Sequence, residues 1–119
     1  MISFLLVGLG GASGSMLRYL VQRWLNAVFP VGTLIVNLFG CLLIGMLWAW
    51  AVKNNWNSNS KLLLMTGFCG GFTTFSAFTI ESIKMLENGR FLYFTIYFFC
   101  STILGLLATF AGYKLLNNF

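Results

Sequence analysis

The chain has 119 residues, of which 59% are apolar and only 8% charged. A soluble domain carries about 25% charged residues, so this composition excludes a water-soluble globule and makes lipid the natural solvent of the surface. The net charge of +5 comes from basic residues scattered singly, Arg18, Arg23, Lys53, Lys61, Lys84, Arg90 and Lys114, without the clustered patch that nucleic-acid binding needs.

Glu81 and Glu87 are the only carboxylates and there is no histidine. That removes most general acid–base chemistry and the usual metal clusters, and with them an enzyme reading. Cys41, Cys69 and Cys100 each lie in an apolar stretch without CxxC spacing, so they read as small buried apolar side chains.

A helix needs about 20 apolar residues to cross the hydrocarbon of a bilayer. Four segments qualify, and they fill a single domain over residues 1–119. The first runs from Ile2 to Val28, contains Arg18, and is read as a retained span rather than a cleaved leader. Phe29-Pro30 closes it, since the residue before proline is pushed out of the helical region. The second runs from Gly32 to Val52, and Asn54–Ser60 is a polar loop. The third runs from Lys61 to Leu86, Asn88-Gly89 is a turn, and the fourth runs from Phe91 to Lys114. Short connections make neighbouring spans antiparallel.

Small residues recur four apart at Gly10/Gly14, Gly67/Gly71, Ser101/Gly105 and Ala108/Gly112. This spacing lets helix backbones approach closely, either within one chain or between two. Basic residues normally mark the cytoplasmic side. Here Lys53, Lys61 and Lys114 fall on the side of the termini, and Arg18, Arg23, Lys84 and Arg90 on the other. So even a bias leaves two readings open: insertion in both orientations with an antiparallel pair as the unit, or one weakly favoured orientation.

Polar groups inside a span need a partner or a cavity. Thr33 and Asn37 are four apart on one face of the second span, and Tyr97 and Ser101 four apart on the fourth. A serine can satisfy itself on its own backbone, whereas the Asn37 amide has more donors and acceptors than one backbone group can meet. In the third span, Gly70-Gly71 followed by Thr73-Thr74 makes a poor helix centre near mid-membrane. Irregular backbone at that depth must be buried in protein or line a cavity. Phe75 and Phe78 follow, with Thr79 and Ser82 near the same face. Ring edges carry partial positive charge, so together with amide and hydroxyl donors they form a lining suited to an anion.

At these residues the sequence resembles the Fluc family of fluoride channels over nearly the whole chain. The matching stretches are Gly10-Gly11-Ala12-Ser13-Gly14 with Arg18-Tyr19, Gly32-Thr33-Leu34-Ile35-Val36-Asn37-Leu38-Phe39-Gly40, and Gly70-Gly71-Phe72-Thr73-Thr74-Phe75-Ser76-Ala77-Phe78, completed by Glu81 and the Tyr97/Ser101 pair. The resemblance implies an all-α membrane protein of four helices with the third broken, assembled as an antiparallel, dual-topology homodimer in the inner (plasma) membrane. It implies two pores for passive fluoride export and a structural sodium ion held by the main-chain carbonyls of Gly70 and Thr73. It places Asn37, Phe75, Ser76, Phe78, Tyr97 and Ser101 in the fluoride pore, Arg18 at an aqueous vestibule, and Ser76 and Glu81 on a polar path toward one mouth. Ala77 departs from the family, which commonly has a hydroxyl there, and Thr79 is the residue positioned to compensate. The competing class is a small dual-topology multidrug exporter, which wants a membrane-embedded carboxylate; the first two spans have none.

Overall fold

The structure is a computed structural model that describes residues 1–117. It is all-helical, with four segments long and apolar enough to cross a membrane, Ile2–Leu25, Val31–Lys53, Ser58–Glu87 and Phe91–Asn117. Helices α1 (Ile2–Leu25) and α2 (Val31–Lys53) are continuous. The third span is composite, with α3 (Ser58–Lys61), a π-wound stretch Leu62–Cys69, α4 (Gly70–Phe72) and α5 (Phe75–Glu87). The fourth consists of α6 (Phe91–Phe99), a π-wound turn Cys100–Leu104 and α7 (Gly105–Asn117).

The fourth span runs past the expected Lys114 to Asn117, and two other span boundaries differ from expectation for local reasons. The first helix stops at Leu25 rather than Val28, because Asn26 turns extended (φ −71°, ψ 134°) and pairs with Pro30 across a tight turn. The turn is closed by Val31 N donating to Phe29 O at 2.8 Å, and Pro30, which has no N–H to satisfy, caps α2. The third span starts at Ser58 rather than Lys61, because the Asn57 side chain accepts from Ser60 N at 2.9 Å and caps the helix early.

The small-residue pairs pack within the chain. A Cβ on Gly10 would strike Leu63 O and lie 2.8 Å from Phe68 N, and one on Gly14 would strike Phe68 O and lie 2.7 Å from Phe72 N. From the other side, a Cβ on Gly71 would strike the Gly11 backbone. Helix α1 therefore lies backbone to backbone against the first half of the third span. Gly45 and Gly112 bring α2 and α7 together in the same way, and Thr109 Oγ1 donates to Cys41 O across that contact at 3.0 Å. Close contact of this kind replaces the hydrophobic driving force that is missing between helices in lipid.

The apolar core sits beside the break, where Phe78, Met85 and Tyr97 pack with Phe29, Leu34 and Phe94. Much of the remaining apolar surface points outward, including Phe4, Trp24, Phe39, Phe75, Leu106 and Phe110, as expected of a chain whose surroundings are as apolar as its interior.

Candidate functional site

The third helix breaks later than its composition suggests. Gly70 and Gly71 remain helical, and only Thr73 (φ −90°, ψ 159°) and Thr74 (φ −150°, ψ 119°) are extended. The helix restarts at Phe75, with Thr74 Oγ1 accepting from Ala77 N at 3.1 Å as a side-chain cap.

The break leaves specific backbone groups to be satisfied. The Thr74 amide, which in an unbroken helix would bond the Gly70 carbonyl, donates instead to Asn37 Oδ1 at 2.7 Å. The Ala77 amide, which would bond the Thr73 carbonyl, is taken by the Thr74 hydroxyl. Gly70 and Thr73, the two carbonyls expected to bind a cation, are thus among the four, residues 70–73, that the break deprives of their helical donors. The neighbouring Gly71 carbonyl is treated differently. It accepts Arg18 Nε at 2.9 Å and Ser15 Oγ at 3.4 Å. Gly70 also has open space where a Cβ would be, unlike Gly71.

Asn37 completes the clamp. Its Nδ2 donates to Thr74 O at 3.0 Å while its Oδ1 accepts from Thr74 N, leaving one amide hydrogen uncommitted. A cavity of about 430 Å³ opens beside it, lined among others by Gly70, Thr73, Phe75, Phe78 and Ser101. The Phe75 and Phe78 rings are 5.7 Å apart. Phe78 is 8% exposed and Phe75 76%, so one ring is anchored in the core and the other faces open space.

Ser101 is the outlier among span hydroxyls. Ser13, Thr73, Ser82, Thr95 and Thr102 each donate to the carbonyl four residues back, at 2.7–2.9 Å. Ser101 Oγ is buried without a hydrogen-bond partner. It lies in the π-wound turn Cys100–Leu104, a winding rare in helices and concentrated at functional sites. Its hydroxyl is therefore uncommitted, in a residue that lines the cavity.

A polar path leads away from the break. Arg18, bound to Gly71 O, also donates to Gln22 Oε1 at 3.3 Å. Gln22 Nε2 donates to Thr33 Oγ1 at 3.0 Å, and Thr33 Oγ1 to Glu81 Oε2 at 3.0 Å. Asn26 Nδ2 reaches Thr33 Oγ1 and Glu81 Oε2, and Tyr97 OH donates to Glu81 Oε1 at 3.0 Å. Among the described residues, every hydrogen-bond partner of Glu81 is a neutral donor. Arg18 is held at the break rather than projecting free. Tyr97 is fully buried, so its hydroxyl serves Glu81 rather than the cavity. Ser76 and Thr79 are exposed, with Ser76 Oγ 3.3 Å from Thr74 Oγ1 and Thr79 Oγ1 donating to Ser76 O at 2.9 Å.

Gln22 and Asn26 are functional candidates that reading the sequence missed. The signal was present: Arg18, Gln22 and Asn26 are successive i, i+4 positions and form one polar stripe along α1. The stripe has meaning only once Thr33 and Glu81 are seen beside it.

A broken span, a cavity at the break and a hydrogen-bonded path beside it define a small multi-pass membrane protein of the channel type, built where irregular backbone can line a cavity. The chain belongs to the family described as "CrcB-like protein, Camphor Resistance (CrcB)", whose model matches residues 5–113. It is 41% identical over 119 residues to the "Fluoride-specific ion channel FluC" of Azobacteroides pseudotrichonymphae, covering 96% of this chain and 95% of that protein. It is 48% identical over 112 residues to the protein of the same name from Chlorobium chlorochromatii (91% and 87% covered), and 45% identical over 123 residues to that of Rhizobium etli (98% of each). The family resemblance carried by the motifs is therefore borne out, and these relatives are named as ion channels, not as enzymes.

Proposed function

We propose that the chain conducts fluoride across the plasma membrane as an antiparallel, dual-topology homodimer with two pores. The observation that carries this reading is the cavity at the break. Asn37 has one amide hydrogen to spare, Ser101 a hydroxyl without a partner, and Phe75 and Phe78 a pair of rings, and all four residues line it. A small, strongly hydrated anion needs its water replaced by donors at close range, and these groups supply them without burying a fixed cation. The N-terminus of α5, the end at which a helix carries partial positive charge, begins at Phe75, which lines the same cavity. The relatives' printed name supports fluoride as the ion.

Two features support assembly with a second copy. Phe75 is 76% exposed although it lines the cavity, and Gly70 faces open space. The even distribution of basic residues suits insertion in both orientations. In such a pair the Gly70 and Thr73 carbonyls, deprived of helical donors, would hold a structural sodium ion, and the residues present fit that role. When bound, the ion would neutralise carbonyl dipoles at mid-membrane, and no transport step is routed through it. Transport would be passive, with hydrofluoric acid entering as a neutral molecule and the trapped anion leaving down its electrochemical gradient.

Fluoride efflux from liposomes containing only this protein, with chloride as control, tests the reading. Efflux of fluoride well above chloride, strongly reduced by Phe75→Ile, is the expected result. Absence of fluoride efflux from a preparation that runs as a dimer would sink it. Ion replacement with anomalous scattering at the Gly70 and Thr73 carbonyls tests the sodium; water alone there would remove it.

A further inference from the structure

A second polar cavity lies at the far end of the Glu81 path. It has a volume of about 280 Å³ and is lined by residues of the first turn, Ala27, Val28 and Pro30, and by Glu81, Lys84 and Arg90 among others. Its shape follows from two tight turns. Asn26 and Pro30 pair across the first. In the second, Asn88 N donates to Lys84 O at 3.1 Å, Gly89 takes a left-handed conformation (φ +71°), and Arg90 N donates to Met85 O at 2.8 Å. The second turn folds Arg90 back beside Lys84, which itself lies three residues after Glu81 on the same helix face.

The charges in this cavity are not matched to each other. Glu81 is held by Asn26, Thr33 and Tyr97, all neutral. Lys84 is exposed, and the Arg90 guanidinium carbon lies 6.0 Å from the Tyr93 ring centroid. Two cations thus share a small recess with one carboxylate whose lone pairs are already engaged, and the recess has a net positive charge. A concave site lined by one sign of charge beside a low-dielectric wall raises the local concentration of the opposite ion.

We propose that this recess is an anion-binding vestibule in which Lys84 and Arg90 collect the permeating anion at the Glu81 end of each path. The inference rests on the fluoride-channel reading. In an antiparallel dimer the two recesses would open on opposite sides of the membrane, one per path. An anionic lipid headgroup would be drawn by the same positive charge as free fluoride, and the comparison of zwitterionic with anionic vesicles separates them.

The experiment is fluoride flux through the Lys84→Gln/Arg90→Gln double variant and the wild type, at about 10 mM and about 300 mM ionic strength, in vesicles of phosphatidylcholine alone and with added phosphatidylglycerol. The expected result is a flux roughly three- to tenfold below wild type at low fluoride and low ionic strength, in both lipids, with the gap closing at high ionic strength as the steering field is screened. Size-exclusion chromatography checks that the variant keeps the wild-type assembly. Wild-type flux with an unchanged double variant overturns the vestibule alone. A deficit confined to vesicles containing phosphatidylglycerol assigns the recess to a headgroup and overturns it as well. Absence of wild-type flux overturns the channel reading together with this one.

Discussion

Asn37 and Thr74 are joined by two opposed hydrogen bonds, Thr74 N to Asn37 Oδ1 at 2.7 Å and Asn37 Nδ2 to Thr74 O at 3.0 Å. One side chain on α2 thus stands in for the neighbouring strand that an extended residue normally has. Without it, the backbone of Thr74 would have no partner in place of the helix it has left. Replacing Asn37 with Leu removes both bonds and leaves a part-buried N–H and C=O. The expected cost is about 2–6 kcal/mol, the sum of two such losses, seen as a lower thermal midpoint in detergent. Asn37→Asp keeps the acceptor, loses the donor and adds negative charge at the cavity, so fluoride flux should fall at least about tenfold even where the protein stays folded.

Arg18 tests the opposite edge of the break. Its Nε bond to Gly71 O is charge-assisted, and the only other donor to that carbonyl among the described residues is Ser15 at 3.4 Å. Arg18→Met should destabilise the fold by about 1.5–3 kcal/mol. Arg18→Lys keeps the charge but lacks the planar fork that serves Gly71 and Gln22 together. It should recover only part of the loss, as measured by denaturation in detergent.

Ser101 should separate stability from transport. Its hydroxyl is buried without a partner, so Ser101→Ala removes a group whose burial costs free energy. The expected thermal midpoint is unchanged or higher, by up to about 1 kcal/mol in equivalent stability. Fluoride flux should nevertheless fall. If stability drops and flux is kept, Ser101 has a structural partner and does not serve the anion.

The adjacent glycines of the third span should answer differently to the same change. Gly71→Ala drives a Cβ into the Gly11 backbone, where no flexible group can give way, so poor folding is expected. Gly70→Ala meets nothing within 4 Å, and a single chain should tolerate it. If Gly70 faces a second copy, the variant should fold yet lose dimer in cross-linking and size-exclusion measurements.

Tyr97→Phe deletes the hydroxyl that holds Glu81 Oε1 while keeping the ring that packs on Phe78, 5.1 Å between centroids. Because the ring is retained, the expected stability loss is modest, about 1.5–3 kcal/mol for a hydrogen bond to a charged group. The larger effect should be on fluoride flux, since Glu81 loses the contact that orients it toward the polar path.

The sequence by itself determined the solvent, the number of spans and the location of the weak helix. Apolar content, the spacing of turn residues and the Gly-Gly-Phe-Thr-Thr run are one-dimensional properties, and helices in lipid must satisfy their backbones within the same segment. Only the tertiary structure decided how the weakness is resolved. Gly71 stays helical with its missing Cβ serving the close contact with α1, and the extended backbone falls on the two threonines beside Asn37, which pairs with Thr74. The path from Gly71 through Arg18, Gln22 and Thr33 to Glu81 joins three spans. Spacing reveals the stripe on α1, but a hydrogen bond between distant segments exists only when packing brings donor and acceptor within about 3 Å.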